Sequence, residues 1–189
     1  MRIISGHLGG RRFAPSKGRF PTRPTTDLAR EALFNVLSHR KDLSGVRFLD
    51  LFGGLGGVSL EAVSRGCEDV TYVDKHPGCV GFVRETAVAF GVSDAIRITR
   101  ANVEEFLKYG MEPYDIVFAD PPYRWPKLSI LPEWVFEQKL LKKDGILVVE
   151  HDVHTFLEHY PQYRGSKKYG QTVFSFFENI EDAPSEEQE

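Results

Sequence analysis

Cysteine is nearly absent. Cys67 and Cys79 are the two in 189 residues, too few for a disulfide framework. No set of His and Cys has zinc-finger spacing, so the expectation is a reduced, cytoplasmic, metal-free protein. No apolar run approaches the ~20 residues that would span a bilayer. The opening "MRIISGHLGGRRF" lacks the apolar stretch of a secretion signal, which excludes a membrane partner at this level of reading. Internal repeats at solenoid spacing are missing too. What remains is an ordinary globular composition, 41% hydrophobic and 27% charged, of single-domain length.

Charge is unevenly spread. Residues 1–47 hold ten Lys or Arg against Asp27, Glu31 and Asp42, a net +7, while the remainder carries −10. A basic arm on an acidic body fits a polyanionic partner, or equally a solvated basic surface. The last residues, "ENIEDAPSEEQE", are acidic and poor in apolar side chains, as in a disordered tail.

The N-terminal "RIISG" and "RRFAP" flank "HLGG" as in a short hairpin, and residues 14–24 read as an extended arm. Thr26 or Asp27 caps the helical "LAREALFNVLSHR". From residue 46 strands and helices alternate. "VRFLDLF", "DVTYVD", "AIRITR", "YDIVFAD" and "GILVVE" read as strands; "VSLEAVSRG", 79–90, "VEEFLKYG" and 133–142 read as helices. "QTVFSFFE" forms a final strand. This alternation implies an α/β fold, a mostly parallel sheet with helices on both faces.

In such sheets ligands bind beyond the carboxyl ends of the strands. Strand 1 ends in Asp50 and "GGLGG", strand 2 in Asp74, strand 3 precedes Asn102, and strand 4 ends in "DPPY". Glycines between a strand and a helix admit a ligand to the helix N-terminus, or serve packing alone. Asp74 stands where an acid holds ribose hydroxyls, or it caps the next helix. Asp50 before the turn repels a pyrophosphate and suits a cofactor with a positive centre, such as S-adenosylmethionine.

"DPPY" is the most specific stretch. The ionised Asp120 and the carbonyl of Pro121 accept hydrogen bonds on a segment whose two prolines have no N–H. The group held there must donate, ideally two hydrogens, as the exocyclic amine of a nucleobase does. Tyr123 offers a face on which an extruded base can stack. The alternative is a rigid turn that closes a buried strand. His151, His154 and His159 lack converging ligand geometry and read as surface histidines. Glu150 ends the fifth strand and could approach the site, but a strand-end carboxylate in solvent is the favoured reading.

These residues resemble the Asp/Asn-Pro-Pro-Tyr motif and cofactor loop of amino-directed nucleic-acid methyltransferases. To about residue 178 the chain resembles the RsmD family, through "MRIISGHLGGRRF", "TRPTTDLAREALFNVL", "LEAVSRG" and "KKYGQT". The resemblance implies a Rossmann-like, S-adenosylmethionine-dependent methyltransferase fold with a seven-stranded sheet. It implies transfer to guanine N2 of 16S ribosomal RNA, presented in an assembling small subunit to a monomeric enzyme. Asp50, Gly53 and Gly56 would line the cofactor, Asp74 its ribose and Asn102 its adenine edge. Asp120, Pro121, Pro122 and Tyr123 would hold and stack the guanine. Arg23 and Thr25 would sit near the entrance, and Arg11 and Arg12 would meet RNA. The family usually has a Ser or Thr where Leu55 stands and Asp where Asn102 stands, which implies weaker cofactor affinity. The division expected is 1–45 as an RNA-facing extension, 46–178 as the methyltransferase domain and 179–189 as a tail. A DNA adenine-N6 or cytosine-N4 methyltransferase and a non-catalytic RNA-binding scaffold are the competing readings.

Overall fold

The computed structural model describes residues 1–15, 25–109 and 112–179; Arg23 and residues 180–189 lie outside them. In chain order the elements are α1 (Asp27–Arg40), β1 (Arg47–Leu51), α2 (Gly57–Ser64), β2 (Asp69–Asp74), α3 (Pro77–Phe90) and β3 (Ile96–Arg100). Then come α4 (Val103–Phe106), β4 (Tyr114–Ala119), α5 (Leu131–Glu137), β5 (Leu141–Asp152), β6 (Tyr163–Tyr169) and β7 (Thr172–Glu178). They build a seven-stranded sheet in the order β3-β2-β1-β4-β5-β7-β6. The first five strands pair in parallel and β7 is antiparallel to both β5 and β6. The order reverses between β1 and β4, which is where a doubly wound sheet opens a crevice.

Period-two alternation sorts the strand residues onto two faces. Phe48, Tyr72, Phe118, Val148 and Phe174 pack in one cluster with the N-terminal hairpin, α1, α2 and α3. Leu51, Val73, Val117, Leu147 and Phe177 pack in the other with α4 and α5.

Helix α2 is buried on all sides, polar residues included, so each polar side chain must find a partner inside. Ser64 Oγ donates to Ser5 O and accepts from Leu8 N at 3.0 Å, so it holds the hairpin against the helix. A Cβ at Gly6 would lie 1.7 Å from Ser64 O, so only glycine permits that approach. Glu61 accepts from the backbone of Ile4 at 2.7 Å and Ser5 at 3.1 Å, and from Arg65 Nε at 2.7 Å. Arg30 of α1, 1% exposed, faces it at 3.7 Å and also donates to Arg2 O and Asp27. One buried ion pair therefore joins hairpin, α1 and α2.

Thr26 caps α1, its hydroxyl accepting from Ala29 N. The hairpin forms with minimal pairing, a single Arg2–Arg12 bridge. Three expectations need correction. Residues 133–142 are helical only to Glu137: Lys139 takes a φ of 52°, and Leu140 N–H reaches back to Val135 O. Leu140 and Leu141, which kept helical spacing, enter the core from a turn and a strand instead. "VEEFLKYG" is helical only through Phe106. Strand β6 was not anticipated, because "YRGSKKY" is an exposed edge without apolar alternation. No helix among the described residues is long and apolar enough to cross a membrane.

Removing one partner of a buried pair leaves the other charge uncompensated. Arg30→Met is therefore expected to lower unfolding free energy in urea by about 3–5 kcal/mol. A loss below about 1 kcal/mol would mean that Arg65 and the backbone satisfy Glu61 unaided.

Candidate functional site

A cavity of about 660 Å³ opens over the carboxyl ends of β1, β4 and β5. Its lining brings together Asp50, Gly53, Asp120, Pro121, Pro122 and Tyr123, with Thr25. Four carboxylates stand on one face of the sheet, each two residues beyond a core aromatic or valine. They are Asp74 after Tyr72, Asp50 after Phe48, Asp120 after Phe118 and Glu150 after Val148.

Asp50 is 1% exposed. Its Oδ2 accepts from Ser59 N at 3.1 Å and Ser59 Oγ at 2.5 Å, while its Oδ1 is buried and accepts nothing from the described residues. Burial pushes its carboxyl up to about 7; the two Ser59 bonds pull it down, and the charges of Asp74 and Glu150 push it up. An ion so placed favours a cationic or N–H-bearing ligand beside it.

The glycine turn follows. Gly54 and Gly56 take φ of 52° and 75°, and Gly56 is the N-cap of α2. Asp74 Oδ2 accepts from Gly54 N at 2.9 Å and its Oδ1 from His76 N at 2.7 Å. Both oxygens thus hold the turn and the start of α3, and Asp74 is outside the cavity lining. Asn102 caps α4 through Glu104 N at 3.2 Å and is likewise outside it.

At the end of β4, Asp120 N donates to Leu51 O at 3.2 Å, which fixes the carboxylate beside β1. Its carboxyl is held well above the usual range by burial first, then by Glu150 and Asp50. Pro122 O accepts from Trp125 N at 2.7 Å, closing the turn. Trp125 meets Phe52 edge-on at 5.0 Å and Trp134 at 6.1 Å. Phe52 has a left-handed φ of 63°, a strained conformation for a bulky residue, and lines the cavity. Tyr123 is 38% exposed at the mouth.

Glu150 corrects the expectation of a solvated strand end. β5 runs on to Asp152, and Glu150 is 3% exposed in the cavity wall. Its Oε2 accepts from Thr25 Oγ1 at 2.8 Å, and its Oε1 from Thr172 Oγ1 at 3.5 Å. The cue was parity: Ile146, Val148 and Glu150 fall on one face, the face of Phe118 and Asp120. His151 is also buried rather than at the surface, between Asp152 O at 2.7 Å and Ser175 Oγ at 2.8 Å; burial lowers its pKa. His154 and His159 are exposed. Arg11 and Arg12 are exposed on the hairpin away from the cavity lining, with Arg11 5.2 Å over the Phe90 ring. Arg124 lines the cavity and had not been singled out.

Residues 1–178 match the family described as conserved hypothetical protein 95. The Bacillus subtilis (strain 168) protein YlbH is 36% identical over 155 residues, 80% of this chain and 83% of that one. Ribosomal RNA small subunit methyltransferase D of Escherichia coli (strain K12) is 30% identical over 161 residues, 85% of this chain and 79% of its own. Among solved structures, a hypothetical protein of Thermus thermophilus has a TM-score of 0.81 and 29% identity, covering 94% of this chain and 99% of that one.

Asp50 carries a pH signature. Its folded pKa of about 7 lies above the ordinary 3.8, so the native state binds the extra proton and stability falls as pH rises from about 4 to 7. Asp50→Asn cannot ionise. Its unfolding free energy relative to the parent should rise by a few kcal/mol between pH 4 and pH 8. A difference constant with pH in urea titrations would contradict the burial argument.

Proposed function

The chain belongs to the RsmD family, and from that premise we propose that it is an S-adenosylmethionine-dependent methyltransferase of ribosomal RNA. Its substrate is the N2 amine of a guanine in 16S RNA, within an assembling small subunit, and it acts as a monomer. The observation that carries this is the acceptor-only turn Asp120-Pro121-Pro122-Tyr123, set in one cavity with buried Asp50.

The residues fit the cofactor. Asp50 offers a buried carboxylate oxygen, Oδ1, that accepts nothing from the described residues, suited to an ammonium group near a sulfonium. Gly53 lets the turn lie against the Tyr72 ring, which a Cβ there would meet at 2.4 Å, and Asp74 braces the same turn through Gly54 N. Bound there, S-adenosylmethionine supplies an electrophilic methyl carbon. We assign Gly56 to the same loop, and Asp74 and Asn102 to the ribose and adenine ends.

The chain's own residues prepare the nucleophile. Asp120 and the Pro121 carbonyl accept the two N2 hydrogens, which draws the nitrogen lone pair out of the ring and aims it at the methyl. Transfer of the methyl group from that donor would leave N2 positive, and N2 would then lose a proton. Asp120, whose carboxyl is held high by burial and by neighbouring acids, is suited to take that proton. Tyr123 and Pro122 flank the base and exclude water. Thr25 belongs to the entrance. Residues 1–45 are the RNA-facing extension, with Arg11 and Arg12 on phosphates.

Nucleoside mass spectrometry of ribosomal RNA from cells lacking the protein should reveal loss of one N2-methylguanine; an unchanged set of modifications would end this reading. Asp120→Ala should reduce turnover at least 100-fold while the titration heat with S-adenosylmethionine persists. Near-normal turnover would remove the role of Asp120, and no heat even from the parent would favour a scaffold. Arg11→Glu with Arg12→Glu should flatten the slope of log affinity for RNA against log salt by roughly 1.5. An unchanged slope would move the RNA contact elsewhere.

A further inference from the structure

We propose that Glu150 is the residue that makes the site select guanine, by accepting the ring N1–H while Asp120 and Pro121 hold N2. The inference rests on the methyl-transfer reading above and deepens it. Ala119 pairs with Val149 across the parallel β4–β5 ladder, so Asp120 and Glu150 follow level with one another on adjacent strands. Such strands lie roughly 4.8 Å apart, and both side chains line the same cavity. Donors of a bound base favour the ionised form of both carboxylates, and in that form they only accept. A base edge that satisfies both must therefore present two donors side by side.

Guanine does so, with N1–H next to its N2 amine. Adenine and cytosine place an unprotonated ring nitrogen next to theirs, and its lone pair would face the Glu150 carboxylate. An acceptor pair at this point thus separates guanine from the other two bases with exocyclic amines, where the Asp-Pro-Pro-Tyr turn alone accepts any of them. The setting keeps Glu150 aimed. The residue is 3% exposed and pairs with Phe174 on β7. The hydroxyls of Thr25 and Thr172 hold one oxygen each, at 2.8 and 3.5 Å. A carboxylate oxygen has two lone pairs, so one that accepts from a threonine can also accept from a base.

A substrate–variant cycle tests this. Small subunits are reconstituted on 16S RNA carrying either guanine or 2-aminopurine at the methylated position. 2-Aminopurine keeps the N2 amine but has an unprotonated N1 and no O6. Single-turnover methylation is measured with the parent and with Glu150→Gln. The parent should prefer guanine by roughly 10- to 100-fold, the range of one good base-edge pairing. Glu150→Gln offers an amide N–H to the N1 lone pair of 2-aminopurine, so guanine transfer should fall, 2-aminopurine transfer rise, and the preference shrink at least tenfold. Equal losses on both substrates would reduce Glu150 to a support for Thr25 and overturn the proposal. So would a parent that transfers equally well to both bases, a result that needs no variant to fold. A parent inactive on both substrates would overturn the guanine reading itself, which is a different failure.

Discussion

Gathering carboxylates on one face of a sheet, at the ends of its central strands, is the constraint around which this molecule is organised. Asp74, Asp50, Asp120 and Glu150 follow the same period as the core residues before them, so the hydrophobic pattern that folds the sheet also aims the acids. Burial and mutual repulsion oppose their ionisation, as the raised Asp50 and Asp120 show. A ligand rich in positive charge and N–H groups relieves that opposition. The cavity's selectivity and its electrostatic cost have one origin.

The remaining architecture keeps those acids where repulsion would move them. Ser59 of α2 holds Asp50, the backbone of Gly54 and His76 holds Asp74, and Leu51 O anchors the backbone of Asp120. The same helix α2 grips the N-terminal hairpin through Glu61 and Ser64. Cavity floor and basic extension therefore share one rigid element. Their coupling is carried by packed polar contacts rather than by a linker.

Much of this was legible from residue order. The β–α alternation, the Thr26 cap, the glycine turn and the acceptor-only Asp120–Tyr123 segment all depend on local chemistry that short stretches express. Other features depend on what meets them in space. β6 is an edge strand, paired on one side, so its "RGSKK" needs no apolar alternation. Helix α5 ends early because Lys139 turns left-handed to bring Leu140 and Leu141 into the second core. Glu150 and His151 looked like surface residues because the strand was ended too soon; β7 pairs with β5 through Asp152 and covers them. The strain at Phe52 left no trace in the sequence, since nothing local distinguishes it from an ordinary strand end.

The hydrogen bond from Thr25 to Glu150 closes a loop of 125 residues, and Thr172 completes the same carboxylate's setting from β7. During synthesis Thr25 leaves the ribosome 125 residues before Glu150 does. Contacts of such separation form late, because the loop entropy must be overcome before they add stability. A nascent chain that has made β1 to β4 already holds the glycine turn and the Asp-Pro-Pro-Tyr motif but lacks the part of the cavity wall that Glu150, Tyr169 and Thr172 supply. The cavity over β1, β4 and β5 is therefore complete only once the antiparallel end of the sheet is in place.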